Sequence, residues 1–310
     1  MDAQGLLPKR NVEVFDHEGS VVAGFWQYGT LRWDEFCRYL TTFIVTETPW
    51  SIFEYDLTTS QCAGPCPSGA QIVQPGHYTL LSSTRENIRV GLVPTLPRPR
   101  NPSLFNTPVN ENHYDSRGRE RDGRCLITGL QTPNRLKVAH IFPREHEAEW
   151  VRKGYPSKIA DAADEAWIGG TSKIDSVQNV ITLRSDLSDA WDNYEFGVDP
   201  NNHYLITSFT NGNADINGLH LQLDHIQDPT LRPLDELFAD HFVQGLLKHM
   251  KGTGEVGWTY EEYVETFRDG LLDLSNHKIW GSREGKERLE LALSEGLFDH
   301  RLSQQSAAEK

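Results

Sequence analysis

The sequence predicts an α+β fold, and three observations carry that reading. Residues 10–93 alternate short apolar runs with Gly- and Pro-containing turns, the pattern of a β-rich N-terminal domain. Residues 124–214 hold two β segments and then a short helix. Residues 215–310 place apolar side chains at helical spacing, and this acidic helical C-terminal region is expected to pack on the central one.

Asn11-Val12-Glu13-Val14-Phe15 and Val21-Val22-Ala23-Gly24-Phe25 flank Asp16-His17-Glu18-Gly19-Ser20, which predicts a hairpin with a five-residue loop. Trp33 to Val45 predicts a short helix running into a strand. Gln74-Pro75-Gly76 reads as a turn, His77–Leu81 as the next strand and Asn87–Val90 as another. Residues 94–123 read as a linker, because Pro94, Pro97, Pro99, Pro102 and Pro108 oppose regular structure. Arg98, Arg100, Arg117, Arg119, Arg121 and Arg124 make this the only visibly basic stretch, either a solvated linker or a phosphate contact. Further on, Leu234, Leu237, Phe238, His241, Phe242 and Leu246 follow helical spacing. A second helix is expected after Thr259 and a third over 283–298, with Leu289, Leu293 and Leu297 on one stripe.

Composition narrows the function. The chain has 310 residues, a net charge of −14 and eight Trp, which is a folding composition. It has no run of 18 apolar residues, so no membrane span is expected. Its start lacks a basic segment followed by an apolar one, so an intracellular, cytoplasmic protein with reduced thiols is expected. A charge of −14 repels polyphosphate, and a nucleic-acid binder would need a local basic patch to overcome it. Cys62 and Cys66 have a spacing that could hold zinc, but Cys37 and Cys125 stand alone, so the pair reads as two thiols in a Pro/Gly loop. His241 and His249 read as packing or surface residues of a helix, and His17 and His77 lie near turns.

The chemistry concentrates in three segments. Gly123–Leu130 reads as a short strand closing on a Gly turn. Lys137-Val138-Ala139-His140-Ile141-Phe142-Pro143 is a β segment carrying a histidine. Val177–Leu183 enters a short helix that contains Ser188, Asp189, Trp191 and Asp192.

These segments resemble the fungal proteins that carry an HNH nuclease domain. The resemblance rests on Cys125-Leu126-Ile127-Thr128-Gly129, Ala139-His140-Ile141-Phe142-Pro143, Ser176 through Leu187, Trp191-Asp192 and Phe196-Gly197-Val198-Asp199-Pro200. It implies a ββα-metal hairpin and helix: His140 ends the first strand, Asn179 begins the second, and the helix from about Ser185 lies across both. Residues 144–178 become an insertion, with helices near 145–153 and 157–167. In this family the first His is the general base, which suits an imidazole, and the Asn holds the loop. The second His of the triad is expected at Ser188, whose neutral hydroxyl is a poor ligand for a divalent cation. Ala139 likewise offers no ligand atom. A substitute metal set could come from Asp189, Asp192 and His203.

Three functions remain open. The scaffold could be repurposed as a cofactor-independent cyclase, isomerase or pericyclase acting on a small organic molecule in fungal specialised metabolism, with His140, Asn179, Ser188 and Asp192 at the site. It could be an endonuclease using Mg²⁺ or Mn²⁺, with His140 as general base and nucleic acid as partner. It could be a non-catalytic binding protein, since fold does not dictate activity.

Overall fold

The computed structural model describes residues 10–100 and 113–253. The helices expected after Thr259 and over 283–298 lie outside the described residues.

Strands β1 (Val12–Phe15) and β2 (Val21–Phe25) form the expected antiparallel hairpin. Asp16 organises its loop by accepting from the backbone N–H groups of Glu18 and Ser20. Helix α1 (Trp33–Leu40) follows, and Glu35 caps it by accepting from the Arg32 backbone N–H at 3.1 Å. Its spacing buries Trp33, Phe36, Tyr39 and Leu40 on one face. The chain then forms β3 (Ile44–Thr46), β4 (Trp50–Asp56), β5 (Gln61–Pro65), β6 (Gly76–Ser82) and β7 (Val90–Leu92). A five-stranded sheet has the order β2-β1-β6-β4-β5, with β1 and β6 parallel and the other pairs antiparallel. Strands β4 and β5 carry no clear alternation. Strand β5, which carries Cys62, is this sheet's exposed edge, Cys66 just after it is half-buried, and all four cysteines are free. The strand expected at 87–90 lies slightly later, where β7 pairs with β3.

The stretch read as a linker departs from that expectation. Residues 113–122 form helix α2 (His113–Asp122), and Gly118 lets it approach the central hairpin closely. A Cβ at Gly118 would lie 2.9 Å from Val138 Cγ1. The arginines are not a solvated run. Arg98 bonds Glu149 and Asp240, Arg117 bonds Asp161, Arg119 bonds Asp115, and Arg121 bonds Asp122. Arg100 pairs with Asp192 in the same way, so five of the six arginines face intramolecular carboxylates.

The central region is a hairpin of β8 (Leu136–His140) and β9 (Val180–Arg184), covered by α4 (Ser185–Asp192). Its antiparallel register sets His140 opposite Val180. Cys125–Leu130 is a tight turn and not a strand. Gly129 takes φ +73°, and the Cys125 N–H donates to the Leu130 carbonyl at 2.8 Å. The insertion starts with a 3-10 turn (Arg144–His146) and helix α3 (Glu147–Arg152). The helix expected over 157–167 is absent. Asp161 and Asp164 capture nearby backbone N–H groups with their side chains, which favours turns over a helix.

Strands β10 (Phe196–Asp199) and β11 (Leu205–Ser208) form a second hairpin, and α5 (Asp235–Gly245) packs on it. The spacing read from Leu237 to Leu246 is buried as expected. Two apolar cores result. One surrounds the β8–β9 hairpin and includes Trp150, Trp191, Leu237 and Phe238. The other lies on the N-terminal sheet and takes in Phe209, Phe242, Leu246, Leu247 and Met250 from far along the chain. No helix among the described residues is long and apolar enough to cross a membrane.

Candidate active site

His140 stands at the end of β8, where the hairpin opens into the insertion. Its Nε2 lies 3.0 Å from Asp175 Oδ1, and both side chains are largely buried. A carboxylate accepts, so Nε2 carries the proton and Nδ1 is left as the basic nitrogen. Arg144, at the start of the insertion, places a terminal nitrogen 3.0 Å from Asp175 Oδ2. The ring of Tyr114, from the first turn of α2, packs on the imidazole with centroids 4.4 Å apart. Burial, and then the charge of Asp175, push the Tyr114 phenol above its ordinary range. Beside it on α2, His113 stacks on the exposed Trp167 at 5.0 Å.

Asn179 closes the 3-10 turn that leads into β9. It is completely buried. Its Oδ1 accepts from the Phe142 N–H at 2.8 Å, and its Nδ2 donates to the carbonyls of Phe142 and Ile174. Its own carbonyl accepts from the Ile141 N–H. These bonds spend both side-chain donors, so Asn179 ties the residues after His140 to the insertion and has no donor to offer a substrate.

On α4, the Trp191 indole donates to the His140 carbonyl at 3.1 Å. Asp192 pairs with Arg100, whose guanidinium also donates to the carbonyls of His140 and Ile141. Burial pushes the Asp192 carboxyl above the usual carboxylate range, while Arg100 and His140 pull it down. Ser188, one helical turn before Asp192, is buried.

Asp189 points elsewhere, forming a surface pair with Lys137 at 2.9 Å. His203 lies in the turn between β10 and β11, where its carbonyl accepts from His220 Nδ1. The substitute set Asp189, Asp192 and His203 is thus not brought together. Among the described residues no group of three His, Cys, Asp or Glu side chains is disposed to hold a metal ion. The two carboxylates paired around His140, Asp175 and Asp192, each already face a guanidinium, which does not suit a divalent cation.

Sequence reasoning missed Asp175, Arg144, Arg100 and Tyr114. Asp175 directly precedes the Ser176–Leu187 motif, and a carboxylate at that border was the available signal. The other three reach this site only through the fold, Tyr114 from α2, Arg144 from the insertion and Arg100 from the Pro-rich segment before α2.

Residues 125–199 match the HNH endonuclease family, and this stretch coincides with the β8–β9–α4 unit and its insertion. The chain therefore carries an HNH-family domain. No curated protein and no solved structure matches it.

Proposed function

We propose that this protein is a cofactor-independent enzyme that uses an HNH-type scaffold to turn over a small organic molecule, with His140 as general acid–base. The observation that carries the reading is the pairing around His140: Arg144 faces Asp175, and Arg100 faces Asp192. Where a nuclease needs free ligands for a cation, this chain has two ion pairs. Asp175 fixes the imidazole tautomer, so Nδ1 can take a proton from a substrate and return it at another atom. Such a transfer suits a cyclisation or isomerisation, in which no atom is gained or lost. The exposed Trp167, stacked on His113 beside Tyr114, offers a planar substrate an aromatic surface. Fungal specialised metabolism is the context that the sequence resemblance suggests.

The second reading is a metal-dependent endonuclease, and the family match over 125–199 favours it. The two separate in one experiment. The chain is incubated with supercoiled plasmid at low salt with Mg²⁺ or Mn²⁺, beside a His140→Ala variant. The proposal expects no nicking by either protein. Nicking that disappears in the variant would replace it with the endonuclease reading.

A further inference from the structure

A second site lies away from His140. A cavity of about 320 Å³ opens between the β2–α1 connection and the β10–β11 hairpin. Neither His140 nor Asp175 lines it. Its size is at the small end of ligand pockets, enough for one compact molecule and too little for a peptide.

The charges lining it come in a complementary pair. Arg32 directs its Nε to Asp34 Oδ1 at 3.2 Å, with Glu35 Oε2 at 3.7 Å. Its two terminal nitrogens have no partner among the described residues, and together they make a fork suited to a carboxylate. Glu35 is held in place from both sides. Its Oε1 accepts from Asn202 Nδ2 at 2.7 Å and its Oε2 from the Arg32 backbone N–H at 3.1 Å. Each oxygen keeps a lone pair for a further donor. Trp26 and Tyr28 line the same cavity and supply half-buried aromatic surface. The cavity thus presents a cation, an anion and an aromatic wall within the span of one small molecule.

We propose that this cavity binds a free α-amino acid as its zwitterion. Arg32 takes the carboxylate, Glu35 takes the ammonium, and an apolar side chain rests against Trp26 and Tyr28. A ligand with one charge would engage only one of Arg32 and Glu35, so the zwitterion gains a charge-assisted contact that either singly charged analogue lacks.

The test is calorimetric titration of the full chain with L-phenylalanine, 2-phenylethylamine and 3-phenylpropionate. Saturable binding of phenylalanine is expected, with each singly charged analogue weaker by about tenfold or more. Arg32→Gln and Glu35→Gln should each weaken phenylalanine by a similar factor. Gln can still cap α1 at position 35, so Glu35→Gln keeps the helix start, which circular dichroism verifies. The proposal is overturned if phenylalanine gives no saturable heat up to about 10 mM. It is equally overturned if an analogue binds as tightly as phenylalanine, or if the folded variants bind unchanged.

Discussion

Asp175 Oδ1 lies 3.0 Å from His140 Nε2, although the two residues sit on opposite sides of the insertion. The contact decides which imidazole nitrogen is basic, and it depends on how the insertion folds back onto the end of β8. Arg144 grips the other carboxylate oxygen, so the orientation of His140 rests on a three-residue chain. In Asp175→Asn the amide can present its NH₂ group to the ring and favour the wrong tautomer. Turnover assigned to His140 should fall by about 10²–10⁴-fold, with little change in KM. ¹⁵N chemical shifts of His140 read the tautomer directly. An unchanged tautomer in the variant would remove Asp175 from this role.

Asn179 bridges three backbone groups with no exposure to solvent. Asn179→Ala strands the N–H and carbonyl of Phe142 and the carbonyl of Ile174. Destabilisation of about 3–5 kcal/mol is expected. Urea midpoints at constant slope measure it.

Arg100 and Asp192 should behave as a coupled pair. Arg100→Gln leaves Asp192 against protein without its counter-charge, at a cost of about 2–3 kcal/mol, below the range for fully buried pairs because Asp192 is partly exposed. Asp192→Asn in the same chain should recover a good part of the loss. A double-mutant cycle that closes to zero would show that the two do not interact.

Acid should weaken the fold in two stages. His241 is buried against Trp191 with its rings 3.4 Å apart, and burial holds it well below its ordinary 6.5. The unfolded chain takes up that proton more readily, so stability falls as pH drops below about 6.5. Glu149 is lowered from 4.5 to about 2 by Arg98, against its burial and with help from Lys153. Its contribution is complete above about 4.5 and disappears as pH falls toward about 2. Urea titrations from pH 7 to pH 3 should show both slopes. His241→Phe should flatten the upper one and Glu149→Gln the lower.

Much of this molecule could be read from local pattern. The β1–β2 hairpin, α1, β6, the β8–β9–α4 unit and α5 follow from alternation, turn residues or helical spacing. Each of these elements buries a face that its own residues define. Strand β5 escaped because an edge strand of exposed Gln61, Cys62, Ala63, Gly64 and Pro65 has no buried face to create a pattern, and β4 because its buried residues, Ile52 and Phe53, are adjacent and so do not alternate. The helix α2 escaped because it is polar throughout and is held by ion pairs, with Gly118 and Asp122 as its buried residues. His140 and Asn179 were visible as motif residues. Their chemistry was not, since it depends on Asp175 and Arg100, and charge pairing across 35 and 92 residues leaves no local trace.

The N-terminal core has a consequence for how the chain is made. Its sheet is complete by Ser82, yet Phe209, Phe242, Leu246, Leu247 and Met250 finish its apolar filling. A ribosome emits these residues well after the sheet, a delay on the order of ten seconds or more. Through that interval the nascent sheet holds an apolar surface that nothing downstream has yet covered. Newly made chains should therefore depend on holding chaperones more than their finished stability suggests. Truncations that stop near residue 214 should aggregate even though they contain the whole family-matched segment.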